Sequence, residues 1–224
     1  MNSLEAILSQ QSDVRVIDTS IPYTDYVPLD LSVNSKELIE YKPKTADEYE
    51  VFITDYLSKK QGRVAYGGYL EKRNLYERSS IFNSVRKDER NIHIGLDLWV
   101  NAHTPVLAAL DGVIHSFNNN NNLGDYGPTI ILKHMLNKYK FYSLYGHLSL
   151  ESLDLLEIGQ IVKKGKQIAT LGDASVNGDY APHLHFQIIQ DIQDYIGDYP
   201  GVCSENDLEF YKKNCPNPNL LLKI

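Results

Sequence analysis

The chain has 224 residues, of which 42% are hydrophobic and 23% are charged, and its formal net charge is −7. This composition excludes wholesale disorder, collagen-like repeats and a coiled coil. An acidic chain without a basic run is a poor candidate for binding nucleic acid or an anionic membrane surface. Its two cysteines exclude a disulfide framework and a four-cysteine zinc site.

The sequence shows neither a membrane span nor a secretory signal. No stretch approaches the roughly 18–20 apolar residues that a membrane helix needs. Residues 1–15 lack the basic region, the long apolar stretch and the small-residue cleavage site of a signal peptide. On these features alone we expect a cytoplasmic protein without a membrane span.

Residues 1–62 are predicted to form an N-terminal appendage that is partly helical and partly extended. Thr45-Ala-Asp-Glu48 is a capping-box pattern at the start of a helix. Apolar residues then recur at helical spacing as far as the Gly62 stop; they are Tyr49, Phe52, Ile53, Tyr56 and Leu57. A shorter helix is predicted around residues 3–9. Three prolines between the two helices, Pro22, Pro28 and Pro43, predict an irregular connection.

Residues 63–190 have the two-residue hydrophobic period of β-strands. The predicted strands lie at residues 92–98, 106–109, 113–117, 129–134, 140–145, 167–171 and 183–189, separated by turn-forming residues. Many short strands with little helix predict a mainly β fold with an antiparallel, sandwich-like sheet. We interpret the asparagine run at residues 118–122 as a solvated loop between two strands.

Residues 191–224 are predicted to form a tail packed on the β domain, with a short helix at about residues 205–214. Cys203 and Cys215 flank this helix. They would remain thiols in a reducing compartment and could form a disulfide in an oxidising one. Three histidines lie outside the motifs described next, one in a predicted turn and two on predicted strands, and we expect none of them to bind metal: His103, His115 and His134.

Three short motifs place histidines and a carboxylate on or beside predicted strands. In His93-Ile-Gly-Leu-Asp97, residues 93, 95 and 97 share one strand face, and the missing side chain at Gly95 leaves room for an ion. In His183-Leu-His185 the two imidazoles again share a face. The third motif is Tyr145-Gly-His147, in which the histidine follows a strand end. Two neutral imidazoles and one carboxylate, with an open position for water, are typical of a catalytic zinc site.

The order of motifs along the chain resembles the lysostaphin/LytM-type zinc metallopeptidases, which are peptidoglycan endopeptidases with an antiparallel β core. The resemblance covers about residues 64–190. It is carried by His93-x-Gly-x-Asp97, Pro105-Val-x-Ala108, Asp111-Gly-Val113, Tyr145-Gly-His147-Leu-Ser149, Gly159-Gln-x-Val-x-x-Gly165, Gly172 and Pro182-His-Leu-His-Phe186.

This resemblance implies roles for five residues and one zinc ion. His93, Asp97 and His185 correspond to the zinc ligands. His147 and His183 correspond to the pair of catalytic histidines, which would activate the zinc-bound water and stabilise the oxyanion. The implied substrates are peptide bonds in the stem or cross-bridge of peptidoglycan, and the implied compartment is the cell envelope.

The loop before the second histidine motif departs from the family pattern, and we expect it to flank the substrate groove through Asp179 and Tyr180. A tyrosine-rich segment before the first motif is a second candidate groove wall; it contains Tyr66, Tyr69, Arg73, Tyr76 and Arg78. The alternative for this segment is a core-packed strand with exposed arginines.

The expected function is therefore a zinc metalloendopeptidase that hydrolyses peptidoglycan stem peptides or cross-bridges. Two alternatives stay open: an intracellular zinc hydrolase of a small amide, ester or peptide, and a non-catalytic binding domain on the same fold. We expect residues 1–62 to be a packing cap and not an inhibitory prodomain, because they contain no cysteine or histidine. The sequence does not predict an oligomeric state.

Overall fold

The computed structural model describes residues 3–73 and 89–224, so that Tyr76 and Arg78 lie outside the described residues. The helices among these residues are α1 (Leu4–Ser9), α2 (Lys36–Tyr41), α3 (Ala46–Lys60), α4 (Leu208–Asn214) and α5 (Asn219–Leu222). The predicted capping residue of α3 is confirmed, since the Thr45 hydroxyl accepts a hydrogen bond from the Glu48 amide at 3.2 Å. Short 3₁₀ helices occupy Tyr23–Asp25 and Leu150–Leu153.

The strands of the described residues fall into three sheets. They are β1 (Tyr26–Pro28), β2 (Val64–Gly67), β3 (Glu71–Lys72), β4 (Ile92–His93), β5 (Leu96–Trp99), β6 (Pro105–Leu107), β7 (Gly112–Asn120), β8 (Gly127–Leu136), β9 (Tyr139–Gly146), β10 (Ile161–Val162), β11 (Gln167–Thr170), β12 (His183–Ile189) and β13 (Val202–Cys203).

The largest sheet has the strand order β1-β2-β5-β12-β9-β8-β7-β10. Its strands are antiparallel except that β1 runs parallel to β2. The smaller sheets are β11-β6 and β13-β4-β3. The predicted mainly β, antiparallel fold is therefore confirmed.

Strand β12 lies at the centre of the large sheet and separates the apolar core from a polar face. Leu184, Phe186 and Ile188 are fully buried in the largest hydrophobic cluster. His183, His185 and Gln187 alternate with them and therefore point to the opposite face. This alternation directs two histidines to one side of the sheet.

The residues before Gly62 pack into the same cores as the β domain. Leu4, Leu8, Val16 and Ile17 join the largest cluster. Leu29, Leu31, Phe52 and Ile53 form a separate cluster with Ala65, Trp99 and Ala181. The N-terminal residues thus cover part of the sheet, and the proposed domain boundaries stay predictions.

Three expectations about local structure were wrong. The connection after Pro28 contains the helix α2, which starts at the Ser35 cap. Asn118 and Asn120 lie in β7 and not in a solvated loop, because the Asn120 amide donates hydrogen bonds to Thr129 Oγ1 at 3.1 Å and to the Gly197 carbonyl at 2.9 Å. Of the two interpretations of the segment before the first motif, the alternative with exposed arginines is wrong at Arg73, whose side chain is buried and 2% exposed.

Cys203 and Cys215 are both buried and both free thiols. Burial raises the pKa of the Cys203 thiol to about 11.

His134 lies on β8, and both of its ring nitrogens form hydrogen bonds, one with the Asp111 carbonyl at 2.9 Å and one with Ser143 Oγ at 2.7 Å. Among the described helices, none has the length and hydropathy that a membrane crossing requires.

Candidate metal centre

Three strands bring together the predicted ligand residues His93, Asp97 and His185. β12 pairs with β5, and this register places His185 directly opposite Asp97. The predicted single strand at residues 92–98 is divided into β4 and β5, so His93 belongs to the three-stranded sheet and Asp97 to the large one. The junction between these two sheets therefore forms the centre.

The three side chains converge within hydrogen-bonding distances and are almost completely buried. His93 Nε2 lies 3.2 Å from Asp97 Oδ1 and 2.9 Å from His185 Nδ1. His185 Nδ1 lies 3.2 Å from the same carboxylate oxygen. These side chains are at most 3% exposed. Three electron-donating atoms thus face one point.

The outer hydrogen bonds of the two histidines fix which ring nitrogen carries the proton. His93 Nδ1 lies 2.9 Å from the Gly68 carbonyl, which can only accept. His185 Nε2 lies 2.9 Å from Gln187 Oε1, whose own amide nitrogen donates to the Pro200 carbonyl at 3.1 Å. The inward nitrogens therefore present lone pairs, as is typical of metal-ligating histidines.

This arrangement fits a divalent cation. Asp97 Oδ1 is buried and receives no hydrogen bond from the described part of the chain. Three lone-pair donors about 3 Å apart without a shared proton repel one another unless a cation lies between them. Two imidazoles and a carboxylate are ligands that zinc accepts, and the set fits one zinc ion with an open coordination position.

Gly95 has a different role from the one that the sequence predicts. A Cβ atom at position 95 would lie 2.4 Å from Cε1 and 2.5 Å from Nε2 of His185. The space at this glycine is therefore occupied by the His185 ring, and the prediction that it leaves room for an ion was wrong. The missing side chain serves the site by admitting a ligand.

The electrostatics keep Asp97 charged and His93 neutral. Burial alone would raise the pKa of Asp97, but the nearby His93 and the Arg73 guanidinium hold it well below its usual range. Burial lowers the pKa of His93 to about 4, against the raising effect of Asp97. At neutral pH these groups are in the protonation states that ligate metal.

His147 and His183 lie beside this centre. His147 follows β9 with φ +63°, and its Nδ1 lies 2.7 Å from the Asn177 carbonyl. His183 Nδ1 lies 2.8 Å from the Ala181 carbonyl, and its Nε2 lies 3.9 Å from Asp97 Oδ1. The centroids of these two imidazole rings are 4.1 Å apart. Burial lowers the pKa of both, and most strongly that of His147, so each presents a neutral Nε2 at neutral pH.

A cavity of about 230 Å³ opens over these five residues. One wall comes from the N-terminal segment, through Leu31, Tyr49 and Ile53. Another comes from the stretch before and within β13. The aromatic residues that line the cavity are Tyr49, Trp99, Tyr126, Tyr180, Tyr195 and Tyr199. Residues that precede and residues that follow the predicted β domain in the sequence therefore line the cavity.

The predicted substrate-binding residues lie in different places. Tyr180 lines the cavity, and its ring lies 5.1 Å from that of His147. Asp179 neighbours it with φ +67° but is not among the lining residues. Tyr66 packs against the apolar core, and Tyr69 donates a hydrogen bond to the Cys215 carbonyl at 2.8 Å. The structure therefore brings Tyr180 to the cavity and places Tyr66 and Tyr69 outside it.

Sequence reasoning missed the groups that hold the candidate ligands in place. Gly68 accepts the His93 proton, Gln187 accepts the His185 proton, and Arg73 donates to Asp97 at 2.6 Å. Gln187 is two residues beyond His185 on the same strand face, a spacing that could have identified it. Arg73 carries no comparable signal, because it is 24 residues from Asp97.

The region that contains this centre is similar to known peptidases. Residues 91–195 match the family described as peptidase family M23. An uncharacterized metalloprotease of Haemophilus influenzae is 34% identical over 95 residues, which cover 42% of this chain and 18% of that protein. The chain thus spans less than a fifth of the length of this relative.

Two solved structures are also similar. The catalytic domain of lysostaphin from Staphylococcus simulans is 28% identical and covers 55% of this chain and 80% of that chain, with a TM-score of 0.38. A zinc-containing peptidase from Vibrio cholerae is 28% identical and covers 44% of this chain and 27% of that chain, with a TM-score of 0.35. The region that matches peptidase family M23, residues 91–195, thus contains the buried His-Asp-His set, and over this region the chain is similar to peptidases of that family.

Proposed function

We propose that the protein is a zinc-dependent metalloendopeptidase that hydrolyses peptide bonds in peptidoglycan stem peptides or cross-bridges. The observation that carries this proposal is the convergence of His93, Asp97 and His185 under a cavity that also contains His147 and His183. A structural zinc site is closed by four protein ligands, whereas this set has three and opens to a cavity.

The three candidate zinc ligands and the two further histidines, His147 and His183, have different roles in the proposed reaction. A zinc ion bound by the three ligands supplies Lewis acidity, which polarises a carbonyl and makes a water more acidic. His147 and His183 hold their Nδ1 protons against backbone carbonyls, so each offers Nε2 to the cavity. One of them accepts the proton of the attacking water and returns it to the leaving amine, and the protonated ring stabilises the developing oxyanion.

A second candidate is hydrolysis of a short peptide or a small amide. The wall formed by Leu31, Tyr49 and Ile53 lies outside residues 91–195, the range that matches the family. It leaves a cavity of about 230 Å³, which is small compared with the roughly 300–1,000 Å³ of typical ligand sites. A cavity of this volume favours a short segment of peptide over a bulky cross-linked polymer.

A mass-spectrometric digest with zinc-loaded protein tests both candidates. The substrates are cross-linked muropeptides, glycine-bridged peptides and short D-alanyl peptides, with His147→Ala as the inactive variant. His115→Ala, which changes a half-buried histidine on β7, is the matched control.

Products from the parent and from His115→Ala, but not from His147→Ala, support a peptidase, and their masses identify the bond. Cleavage of the short peptides alone favours the second candidate. A protein that holds one zinc and yields no product from any substrate overturns both and leaves a binding domain.

A further inference from the structure

A buried arginine is bonded to the carboxylate of the candidate metal ligand. The Arg73 side chain is 2% exposed, and one of its terminal nitrogens donates to Asp97 Oδ2 at 2.6 Å. The other carboxylate oxygen, Oδ1, faces His93 and His185 at 3.2 Å. Because a carboxylate is planar, occupation of Oδ2 by the guanidinium fixes the direction in which Oδ1 points.

The arginine is itself held from the opposite side. Its Nε donates to Glu71 Oε2 at 2.5 Å, and Glu71 Oε1 accepts the Leu31 amide at 3.0 Å. Leu31 packs in the cluster that contains Ile53 and Trp99. A continuous set of hydrogen bonds therefore runs from the N-terminal segment through Glu71 and Arg73 to Asp97.

The backbone around Arg73 leaves little freedom for another orientation. Its amide donates to the Asn91 carbonyl at 2.8 Å, and the Trp99 ring centroid lies 5.5 Å from Cζ. Gly68 adopts φ +105°, and a Cβ atom there would collide with the guanidinium and lie 2.8 Å from His93 Nδ1. This glycine lets the arginine and the histidine ligand pack side by side.

We propose that Arg73 is a positioning residue for the metal ligand Asp97, and that Glu71 and the Leu31 amide extend this positioning to the N-terminal segment. A buried ion pair adds little to the net stability of the fold, because the cost of desolvating the two charges offsets most of their attraction. A guanidinium that occupies one oxygen of a ligand is instead typical of the outer shell that orients ligands around a metal. The inference rests on the proposed function only in requiring a metal at His93, Asp97 and His185.

The test measures zinc affinity by competition with a chromophoric chelator for the parent, Arg73→Met, Arg73→Lys and Glu71→Gln. Arg73→Met removes the donors and is expected to weaken zinc binding by about 10–100-fold. Arg73→Lys keeps the charge but cannot form the planar fork to both carboxylates, so an intermediate affinity is expected. Glu71→Gln is expected to weaken binding less than Arg73→Met, because the bond to Asp97 remains.

Lys72→Met is the matched control, because Lys72 lies next to Arg73 and its half-exposed side chain forms an ion pair with the exposed Glu205. Its zinc affinity is expected to equal that of the parent. Thermal unfolding of each metal-free variant shows whether it folds. If Arg73→Met does not fold, Arg73→Lys and Glu71→Gln carry the test. The cobalt-substituted protein gives a second readout, because the visible spectrum of the ion changes when a ligand is reoriented.

A folded Arg73→Met variant that binds zinc within twofold of the parent would overturn the proposal, as would a parent that binds no zinc. Equal affinities of Arg73→Met and Lys72→Met would also overturn it. The proposed peptidase function fails separately: a parent that binds one zinc and hydrolyses none of the test peptides leaves the role of Arg73 intact.

Discussion

His185 and Asp97 lie directly opposite each other on β12 and β5, and His185 Nδ1 meets Asp97 Oδ1 at 3.2 Å. The other neighbour of β12 is β9, where Gly146 is the register partner of His185. His147 follows this glycine and therefore lies next to the candidate ligands. The position of one central strand thus sets both the candidate ligands and the candidate catalytic histidines, and a slip of one residue would point Leu184 at the site.

Zinc binding and turnover should separate when these residues are changed individually. We expect His93→Ala, Asp97→Ala and His185→Ala to lose zinc, because each removes one of three donor atoms. His147→Ala is expected to keep zinc and lose hydrolysis, because its ring lines the cavity but is not one of the three donors that could hold the ion. Zinc content after gel filtration and peptide turnover are the two measurements. A His185→Ala protein that binds zinc as tightly as the parent would contradict the ligand assignment.

Gly95→Ala should weaken the metal centre without removing a ligand. The added methyl group would lie within 2.5 Å of the His185 ring, so the ring must leave its present position beside Asp97 or the strand must shift. We expect zinc affinity to fall at least tenfold and the free energy of unfolding to fall by about 1–3 kcal/mol. Chelator competition and urea unfolding measure these effects.

Gly159→Ala is the matched control for this change. No atom lies within 4 Å of the position that its methyl group would take, although φ is +86°. It should cost about 1–2 kcal/mol of stability for the left-handed backbone and leave zinc affinity unchanged. Equal zinc affinities for the two alanine variants would refute the role given to Gly95.

Short-range rules could predict that the site residues of each strand motif share one face, whereas the choice of His185 over His183 as a candidate ligand came from the resemblance to lysostaphin/LytM-type peptidases. The alternation along β12 directs His183 and His185 to one face, and the spacing of His93 and Asp97 keeps them close even though a strand break separates them. Arg73 could not be predicted in this way. It follows β3 of the three-stranded sheet, whereas Asp97 lies on β5 of the large sheet. Its burial depends on Glu71 and on packing of the N-terminal segment.

The asparagine run at residues 118–122 likewise has a structure that depends on partners distant in sequence, which short-range rules do not predict. Composition predicts a loop, since asparagine favours turns, yet only the end of the run leaves the strand. Asn120 stays in β7 because Thr129 and the Gly197 carbonyl, nine and 77 residues away, accept its amide protons. Such partners become visible only when the sheet is assembled.

Asn120→Ala should therefore destabilise the protein, whereas Asn121→Ala should not. Removal of the buried amide leaves the Gly197 carbonyl and Thr129 Oγ1 without this donor, which typically costs about 1–3 kcal/mol. Asn121 is exposed, and its replacement should change the free energy of unfolding by less than about 0.5 kcal/mol. Urea unfolding of both variants gives the comparison. If the two effects are equal, the buried role of Asn120 is wrong.

His134 should make the stability of the metal-free protein depend on pH. Burial lowers its pKa to about 4 in the folded state, from an ordinary value of 6.5. The unfolded chain therefore binds a proton first as the pH falls, and the stability that the neutral ring contributes above pH 6.5 is lost between pH 6.5 and about 4. From pH 7 to pH 5 this loss amounts to about 2 kcal/mol.

His134→Gln should remove this contribution, so that its free energy of unfolding falls by about 2 kcal/mol less than that of the parent over the same interval. Urea unfolding of the parent and of His134→Gln in the presence of a chelator measures both values. An identical pH dependence of the parent and His134→Gln would show that the ring at position 134 is not held neutral by the fold.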